Sequence, residues 1–543
     1  MKKRLAIIGL MLTLAGCGGN YNELTKEEAV KELGSFVREI DPLLAEPVRG
    51  VDTQIRTEAD ILPDIETAYP IVLEGTNQLN AEIFVSPEKA GSGMDGLFLE
   101  IAESFNAQKF EIDGQTVSVS IRSISSGTGL DYIASGVHIP DGYTPSTVLW
   151  GQLMAAENVA FHTVAERTIG DTRGLLMKES IYDQIVANHG EVTISSLVAS
   201  VKDDGLLLGY TNPYTSSVGL DLLVQLMTYF DPENPVSESA VSQLNEFQTH
   251  IPASFFTTLQ LRDAAKNGSI DIMSISYQNF LSAPEFAGFT FVPMGGRQDS
   301  PMYAFGDGVG VEIVNLFTQY ILSEPNQALA AEYGFNQQDD FVSELNVDDR
   351  LLSSIQRTWR ENRDGGRPTV AVFVADTSGS MMGKPIESLQ QSLLNSLQYI
   401  NESTYVGLVS YNSDVTIELP LARMDAAQRS YFVGTVQNLE PQGATATFDA
   451  TLVALQMIQD QLAQTPNARP LIFLLSDGET NEGASLSRIS PIVHALGVPV
   501  VTIGFNDDFP ELEELSRINE GATINANTDD LMYQLRTLFK AGM

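Results

Sequence analysis

The chain has 543 residues, with 31 Lys and Arg against 70 Asp and Glu, a formal net charge of −39, and 43% hydrophobic residues. This length predicts about three or four domains, and the apolar content is enough to build their cores. So large an acidic excess repels phosphate backbones, and because no basic stripe is present, a nucleic-acid partner is excluded. The single cysteine excludes an intrachain disulfide framework and a zinc site built from several thiolates.

The N-terminus has the pattern of an export signal. Residues 2–4 are basic, residues 5–16 form an apolar run too short to span a bilayer as a helix, and Cys17 follows Leu-Ala-Gly. This stretch resembles the lipobox of bacterial lipoproteins, in which the matching cysteine is acylated and becomes the mature N-terminus. The resemblance implies a signal peptide over 1–16 and a lipid-anchored protein of the bacterial cell envelope. Because Gly rather than Asp follows the cysteine, we expect the outer membrane, facing the periplasm or the cell surface. A short cleaved signal with an incidental cysteine, or a weak anchor helix, is the alternative.

Residues 17–77 are predicted to form a tether, one amphipathic helix over 22–41 and a connector. The apolar positions that recur at helical spacing are Val30, Leu33, Val37 and Ile40. We expect this face to pack on the body of the protein. Residues 46–74 mix proline, glycine and charge without periodicity, which is typical of a connector.

Residues 78–339 are predicted to form an α/β region. Short apolar strands alternate with helices, and turns rich in Ser, Thr and Gly follow several of the strands. This alternation predicts a parallel sheet, in which ligands bind at the carboxyl ends of the strands. A helix N-terminus opened by such a turn can hold an anionic or hydroxylated ligand, but any one of these turns is equally well explained as an ordinary helix cap.

Taken in order, these turns resemble those of bacterial extracellular solute-binding proteins. The matching stretches include Ser-Pro at 86–87, Ser-Ser-Gly at 125–127, the segment 140–150, the segment 211–219, and Ser-Tyr-Gln-Asn at 276–279. The resemblance implies a type 2 periplasmic-binding-protein-like module of two α/β lobes, with a cleft that closes on a small solute. The candidate ligand contacts that it implies are Ser86, Ser125, Ser126, Thr147, Ser216 and Tyr277.

The sequence signal with the most specific chemistry follows a polar junction at 340–367. Residues 369–375 form a continuous apolar run, as expected of a parallel strand buried on both faces, and the run leads into Asp-Thr-Ser-Gly-Ser at 376–380. Two other elements end at the same predicted sheet edge, namely the turn at 443–449 and the apolar strand 471–476 with its following acid. Carboxylate and hydroxyl oxygens are the donors that hard divalent cations prefer, so this edge predicts a metal site.

Residues 368–543 closely resemble the von Willebrand factor A (VWA) domain with its metal-ion-dependent adhesion site (MIDAS). The resemblance implies a Rossmann-like domain with a mostly parallel sheet flanked by helices. It also implies a bound Mg²⁺, with Mn²⁺ and Ca²⁺ as alternatives, and an open metal position for an acidic side chain of a protein partner. The five positions that match the metal site are Asp376, Ser378, Ser380, Thr445 and Asp477. The alternative is a capped turn without metal. We interpret Asp414 as an acid near this edge that is not a ligand.

Nothing in the sequence predicts an enzyme. The five histidines are scattered without metal-ligand spacing, and neither a nucleophile elbow nor a phosphate-binding loop is present. Two functions remain open. In the first, a membrane-anchored lipoprotein binds protein partners through the VWA metal site, coupled to the solute-binding-like region. In the second, the protein is a solute receptor for transport or signalling with an accessory VWA domain.

Overall fold

The structure is a computed structural model that describes residues 24–51, 62–251, 254–255, 258–268, 270–343, 345, 347–363, 365–397, 400–478, 480–505, 510–519 and 523–526. The predicted signal peptide and Cys17 lie outside the described residues. Of the helices that are described, none combines the length and the apolar character that a bilayer span requires.

Secondary structure in the first half of the chain alternates between strands and helices. It begins with α1 (Lys26–Ile40), β1 (Leu43–Leu44), α2 (Ile65–Ala68), β2 (Ile71–Leu73), β3 (Leu79–Val85), α3 (Leu97–Gln108), β4 (Glu111–Ile112), β5 (Gln115–Ser123), α4 (Ser126–Ser135), β6 (Gly142–Thr144), α5 (Leu149–Ala156) and β7 (His162–Ala165). It continues with β8 (Asp171–Lys178), α6 (Glu179–His189), α7 (Ile194–Lys202), β9 (Leu208–Thr211), α8 (Ser217–Phe230), α9 (Glu238–Gln248), β10 (Ser254–Phe255), α10 (Thr258–Asn267), β11 (Ile272–Ser276), α11 (Tyr277–Leu281), β12 (Phe289–Gln298), β13 (Met302–Ala304), α12 (Val309–Ile321), α13 (Glu324–Glu332) and α14 (Leu352–Asn362).

These elements form two α/β lobes, each built around its own sheet. The strand order in the first lobe is β2-β5-β3-β6-β13-β7, and β3 runs parallel to both β5 and β6. The order in the second lobe is β10-β9-β11-β8-β12, with β9 parallel to β10 and β11 and antiparallel pairing on both sides of β8. Both sheets mix parallel and antiparallel pairs, and strand β11 and the end of β3 are buried. Within the first lobe, β3, β5 and β6 all run in the same direction. The carboxyl ends of β3, β5 and β6 therefore meet at one edge of the first lobe.

The first lobe begins earlier in the chain than the predicted boundary at residue 78. Strand β2, in the predicted connector, pairs with β5, and the Tyr132 hydroxyl donates to the carbonyl oxygen of Pro63 at 2.9 Å. The buried Arg122 guanidinium donates to the carbonyl oxygen of Ile65 at 3.2 Å and pairs with Glu66 at 2.7 Å. These contacts join residues about fifty to seventy positions apart, which local periodicity does not record.

Helix α14 lies in the segment that was predicted to be a linker. Its apolar side, Leu352, Ile355 and Trp359, is buried in the core that α8 and α9 of the second lobe share with α5 of the first. The Trp359 indole donates to the Tyr210 hydroxyl at 2.8 Å, and the Gln356 amide donates to the carbonyl oxygen of Pro213 at 2.9 Å. The linker prediction was wrong for this helix. Its apolar residues recur at i, i+3 and i+7, as in an amphipathic helix, but the charged residues around them made the segment look like a polar linker.

The C-terminal part of the chain is a second α/β unit. Its described elements are β14 (Thr369–Asp376), α15 (Lys384–Ser396), β15 (Tyr405–Tyr411), β16 (Val415–Arg423), α16 (Ala426–Gln437), α17 (Thr447–Leu462), β17 (Arg469–Ser476), α18 (Leu486–Leu496), β18 (Val500–Phe505), α19 (Pro510–Arg517) and β19 (Thr523–Ala526). The strand order is β1-β16-β15-β14-β17-β18-β19, and β14 runs parallel to its neighbours β15 and β17. Strand β16 is antiparallel to β15 and lies between β15 and β1. The fold class expected from the sequence, two α/β lobes plus a mostly parallel domain flanked by helices, is confirmed.

The N-terminal helix packs on this C-terminal unit. Helix α1 contacts α17 and α18, and the Arg488 guanidinium lies 4.4 Å from the centre of the Phe36 ring. The buried face is Ala29, Leu33 and Phe36, whereas Val30, which was predicted to pack, is 38% exposed. Helix α1, near the N-terminus, therefore lies against the C-terminal unit. Strand β1 extends the sheet of that unit by pairing with β16.

Candidate metal centre

Asp376 ends the central strand β14 and is held on both carboxylate oxygens. Its Oδ1 accepts from the backbone N–H of Ser378 at 2.8 Å. Its Oδ2 accepts from the Ser476 hydroxyl at 2.7 Å and from the Tyr411 hydroxyl at 3.2 Å. Burial raises the pKa of Asp376, while these hydrogen bonds act in the opposite direction. The carboxylate therefore has a defined orientation at the carboxyl edge of the sheet.

A continuous series of oxygen atoms runs from this turn to the neighbouring strand. The Ser378 and Ser380 hydroxyls lie 3.0 Å apart, and the Ser380 hydroxyl donates to Oδ1 of Asp477 at 2.7 Å. Burial raises the pKa of Asp477, and the negative charge of Asp376 adds to that rise. The structure thus brings together four of the five residues that the sequence assigned to the metal site.

The fifth residue, Thr445, lies on the adjoining loop before α17. That loop is joined to the Asp376 turn, because the N–H of Gly379 donates to the carbonyl oxygen of Gly443 at 3.1 Å. The N–H of Thr445 donates to Oδ1 of Asn481 at 2.9 Å, which fixes the buried threonine against the loop that follows Asp477. Gly443 has a φ of +73°, and a side chain there would meet the Ser413 hydroxyl, so the turn requires glycine.

The donor set suits a hard divalent cation. It contains two carboxylates and several hydroxyls, and in the described part of the chain no Lys or Arg forms an ion pair with either carboxylate. Over the same residues, no group of three or more His, Cys, Asp or Glu side chains could hold a metal. Oxygen-only donors of this kind favour Mg²⁺ over zinc or copper. The residues therefore fit the ion that the sequence predicted.

The six predicted solute contacts divide into groups in the structure. Ser125 and Ser216 cap α4 and α8, where their hydroxyls accept from Thr128 and Gly219 respectively. The Tyr277 ring packs against Phe280 and Phe291, and Thr147 is buried. Only Ser86 and Ser126 join a larger polar network, in which the Ser126 hydroxyl accepts from the N–H of Ser146 at 3.3 Å.

The two lobes contact each other directly around this network. The Trp150 indole donates to the Ser217 hydroxyl at 2.8 Å, and the N–H of Gly127 donates to the carbonyl oxygen of Thr215 at 3.3 Å. A Cβ added at Gly127 would lie 2.0 Å from the carbonyl oxygen of Tyr214, so glycine is required for this close approach of the two lobes.

Sequence reasoning missed Glu88 and Lys89, although both directly follow Ser-Pro at the carboxyl end of β3. Their position at the carboxyl end of a parallel strand was the signal in the sequence that could have identified them.

Comparisons with protein families match both parts of the chain. A family model described as the von Willebrand factor type A domain matches residues 371–541, and one described as bacterial extracellular solute-binding protein matches residues 90–336.

Curated relatives match about a third of the chain or less. Inter-alpha-trypsin inhibitor heavy chain H3 of Mus musculus is 29% identical over 164 residues, which is 28% of this chain and 18% of the relative. An uncharacterized protein of Synechocystis sp. is 24% identical over 187 residues, which is 33% of this chain and 43% of the relative. The chain therefore spans less than half the length of these relatives.

Solved structures match each part separately. A von Willebrand factor type A structure from Catenulispora acidiphila has 17% identity, covers 32% of this chain and 42% of that chain, and has a TM-score of 0.30. A putative extracellular solute-binding protein from Bordetella parapertussis has 14% identity, covers 52% of this chain and 99% of that chain, and has a TM-score of 0.39. From the family matches and its own fold, this chain contains a region of the bacterial extracellular solute-binding protein family at residues 90–336, followed by a C-terminal VWA domain at residues 371–541.

Proposed function

We propose that this protein is a membrane-anchored, exported lipoprotein whose VWA domain binds a divalent cation at Asp376, Ser378, Ser380, Thr445 and Asp477, and thereby docks an acidic side chain of a protein partner. The observation that supports this most strongly is the series of oxygen atoms from Asp376 to Asp477 at the carboxyl edge of two parallel strands. Parallel strands deliver their following loops to one place, which is where α/β folds bind ligands.

The chain's own residues prepare the site for this role. Ser476 and Tyr411 orient Asp376 through its Oδ2, while the N–H of Ser378 holds Oδ1. The side chain of Asp376 is thereby fixed before any ion enters, which reduces the ordering that binding requires. A bound divalent cation supplies positive charge and a coordination position for the partner's carboxylate. We propose a binding role for this site, not a catalytic one.

The test of this function is metal-dependent capture of the partner. We expect the immobilised exported chain to retain a host envelope protein in Mg²⁺ and to release it when EDTA is added. An immobilised Asp376→Asn variant should retain none of that protein in Mg²⁺, because it lacks one of the two carboxylates. Capture that is equally strong in EDTA would contradict the proposal.

Anchoring is proposed to occur through acylation of Cys17. A Cys17→Ser variant should incorporate no labelled palmitate and should move from the membrane fraction to the soluble fraction, since the acyl chains supply the membrane affinity. Membrane association that persists unchanged in this variant would favour a weak anchor helix instead.

A further inference from the structure

A carboxylate lies at the centre of the polar network between the two lobes. Oε1 of Glu88 accepts from the Ser86 hydroxyl at 2.5 Å and from the Ser146 hydroxyl at 2.5 Å. The Ser86 and Ser146 side chains are nearly fully buried and follow β3 and β6, two parallel neighbours in the first lobe. Two hydroxyl donors from separate loops thus converge on one anionic oxygen.

A buried ammonium group lies beside this carboxylate. Nζ of Lys89 is 4.0 Å from Oε1 of Glu88, and the Lys89 side chain is 0% exposed. The ammonium donates to the carbonyl oxygens of Thr144 at 2.9 Å and Pro145 at 3.2 Å, and to the Ser300 hydroxyl at 3.0 Å. Burial lowers the pKa of Lys89 to about 8, and the negative charge of Glu88 opposes that fall.

The second lobe brings a further buried acid toward the same place. Oδ1 of Asp171, at the start of β8, accepts from the backbone N–H of Thr172 at 2.7 Å and of Gln278 at 3.1 Å. Burial raises the pKa of Asp171 to about 7, with a further contribution from the charge of Glu88. The Gln278 amide also reaches Oδ1 of Asp95 in the first lobe at 2.9 Å, so the lobes are joined where these charges meet.

We propose that the junction between the lobes is an anion site that the chain fills with its own Glu88 carboxylate, and that a small free carboxylate can occupy it once that side chain is removed. The two hydroxyls would donate charge-assisted hydrogen bonds to any anion of this size, and the buried ammonium 4.0 Å away would add positive charge. Glu88 supplies that anion from within the chain. The Glu88 side chain is 22% exposed, so a small solute can reach the site from water.

This inference is independent of the proposed metal site. It assigns the solute-binding region a self-filled cleft, in which the Ser86 and Ser146 hydroxyls already donate to the chain's own carboxylate. It therefore argues against the solute-receptor alternative, because a receptor cleft has to leave its hydroxyls available to a free ligand.

The experiment uses a Glu88→Ala variant of the full exported chain and acetate as the probe. This substitution removes the CH₂–COO⁻ portion of the side chain, which acetate matches in size and charge. Thermal unfolding is followed in sodium acetate, in sodium chloride of equal ionic strength, and with acetamide as a neutral molecule of similar shape. EDTA is present throughout, so that no divalent ion in the VWA domain can hold acetate. The matched control is Glu103→Ala, which removes an exposed acid from α3 in the same lobe.

We expect acetate at millimolar concentrations to raise the unfolding midpoint of Glu88→Ala by several degrees relative to chloride. Acetamide should have no such effect, and neither the unaltered chain nor Glu103→Ala should respond to acetate. A folded Glu88→Ala variant that ignores acetate would overturn the proposal. So would an equal response in the unaltered chain, because the site would then be free.

A folding defect also has a defined interpretation. If Glu88→Ala folds only when acetate is present, the anion site is supported directly. A Glu88→Gln variant keeps the shape of the side chain without its charge. If Glu88→Gln folds and Glu88→Ala stays unfolded even in acetate, the side chain acts by filling space and the proposal fails.

Discussion

In the Asp376→Asn variant, stabilisation of the VWA domain by Mg²⁺ should disappear. In the unaltered chain, Mg²⁺ at 100 times its dissociation constant should stabilise the folded state by about 2.7 kcal/mol, since only the folded state assembles the site. For a domain of this size, that corresponds to a rise of about 5–10 °C in the unfolding midpoint. Asparagine keeps the size of the side chain and can still accept from the N–H of Ser378, but it lacks the charge. Calorimetric melting in EDTA and in Mg²⁺ measures the difference.

The control for this prediction is Asp414→Asn. Asp414 is an exposed acid just before β16, near the same edge of the sheet, and Asn412 contacts its backbone. Its substitution removes the same unit of charge from the same part of the domain. The Mg²⁺-dependent rise should therefore be retained in Asp414→Asn. Equal losses in the two variants would mean that Mg²⁺ acts through general charge screening.

A Trp359→Ala variant should lower the stability of the solute-binding region by about 3–5 kcal/mol. Trp359 is fully buried among α5, α8 and α9, and its indole donates to the Tyr210 hydroxyl. Truncation leaves a cavity and removes that donor from a buried hydroxyl, and both effects are destabilising. Urea unfolding followed by far-ultraviolet circular dichroism is the suitable measurement, because only Trp150 would remain as an indole fluorophore.

An exposed residue on the same helix provides the comparison. Arg357 faces solvent on α14, so Arg357→Ala should change the free energy of unfolding by no more than about 0.5 kcal/mol. A Trp359→Ala variant that unfolds at the same urea concentration as Arg357→Ala would show that α14 does not support the lobes. It would then behave as the linker that the sequence suggested.

The sequence predicted correctly that Asp376, Ser378, Ser380 and Asp477 lie together, because the signal for their positions is local and repeated. Each of the strands β14 and β17 is an apolar run followed by an acid, and parallel strands bring such residues to one edge. The hydroxyls of Ser378 and Ser380 lie in the same short turn as Asp376, so their proximity follows from chain connectivity.

The surfaces on which helices pack were harder to predict. Periodicity identified α1, but it placed Val30 on the packed side, where the structure has Ala29, Leu33 and Phe36. Nothing local shows that α1 packs on α17 and α18, more than four hundred residues later. Likewise, α14 is amphipathic, but only tertiary contacts reveal that it joins the two lobes.

The roles of the polar residues between the two lobes were also hard to predict from the sequence. Serine after a strand is equally compatible with a helix cap and with a ligand contact, and Ser125 and Ser216 act as caps. Glu88 and Lys89 look like surface charges in the sequence, since such residues are rarely buried unless paired. Their partners, Ser146 and Ser300, are distant in the chain, so the network is visible only after folding.

Isothermal titration calorimetry of Mg²⁺ into the metal-free exported chain measures binding at the proposed metal site itself. We expect saturable binding at one site in the unaltered chain and in Asp414→Asn, and no such binding in Asp376→Asn. No saturable binding to the unaltered chain, or binding that is unchanged in Asp376→Asn, would contradict the proposed metal site.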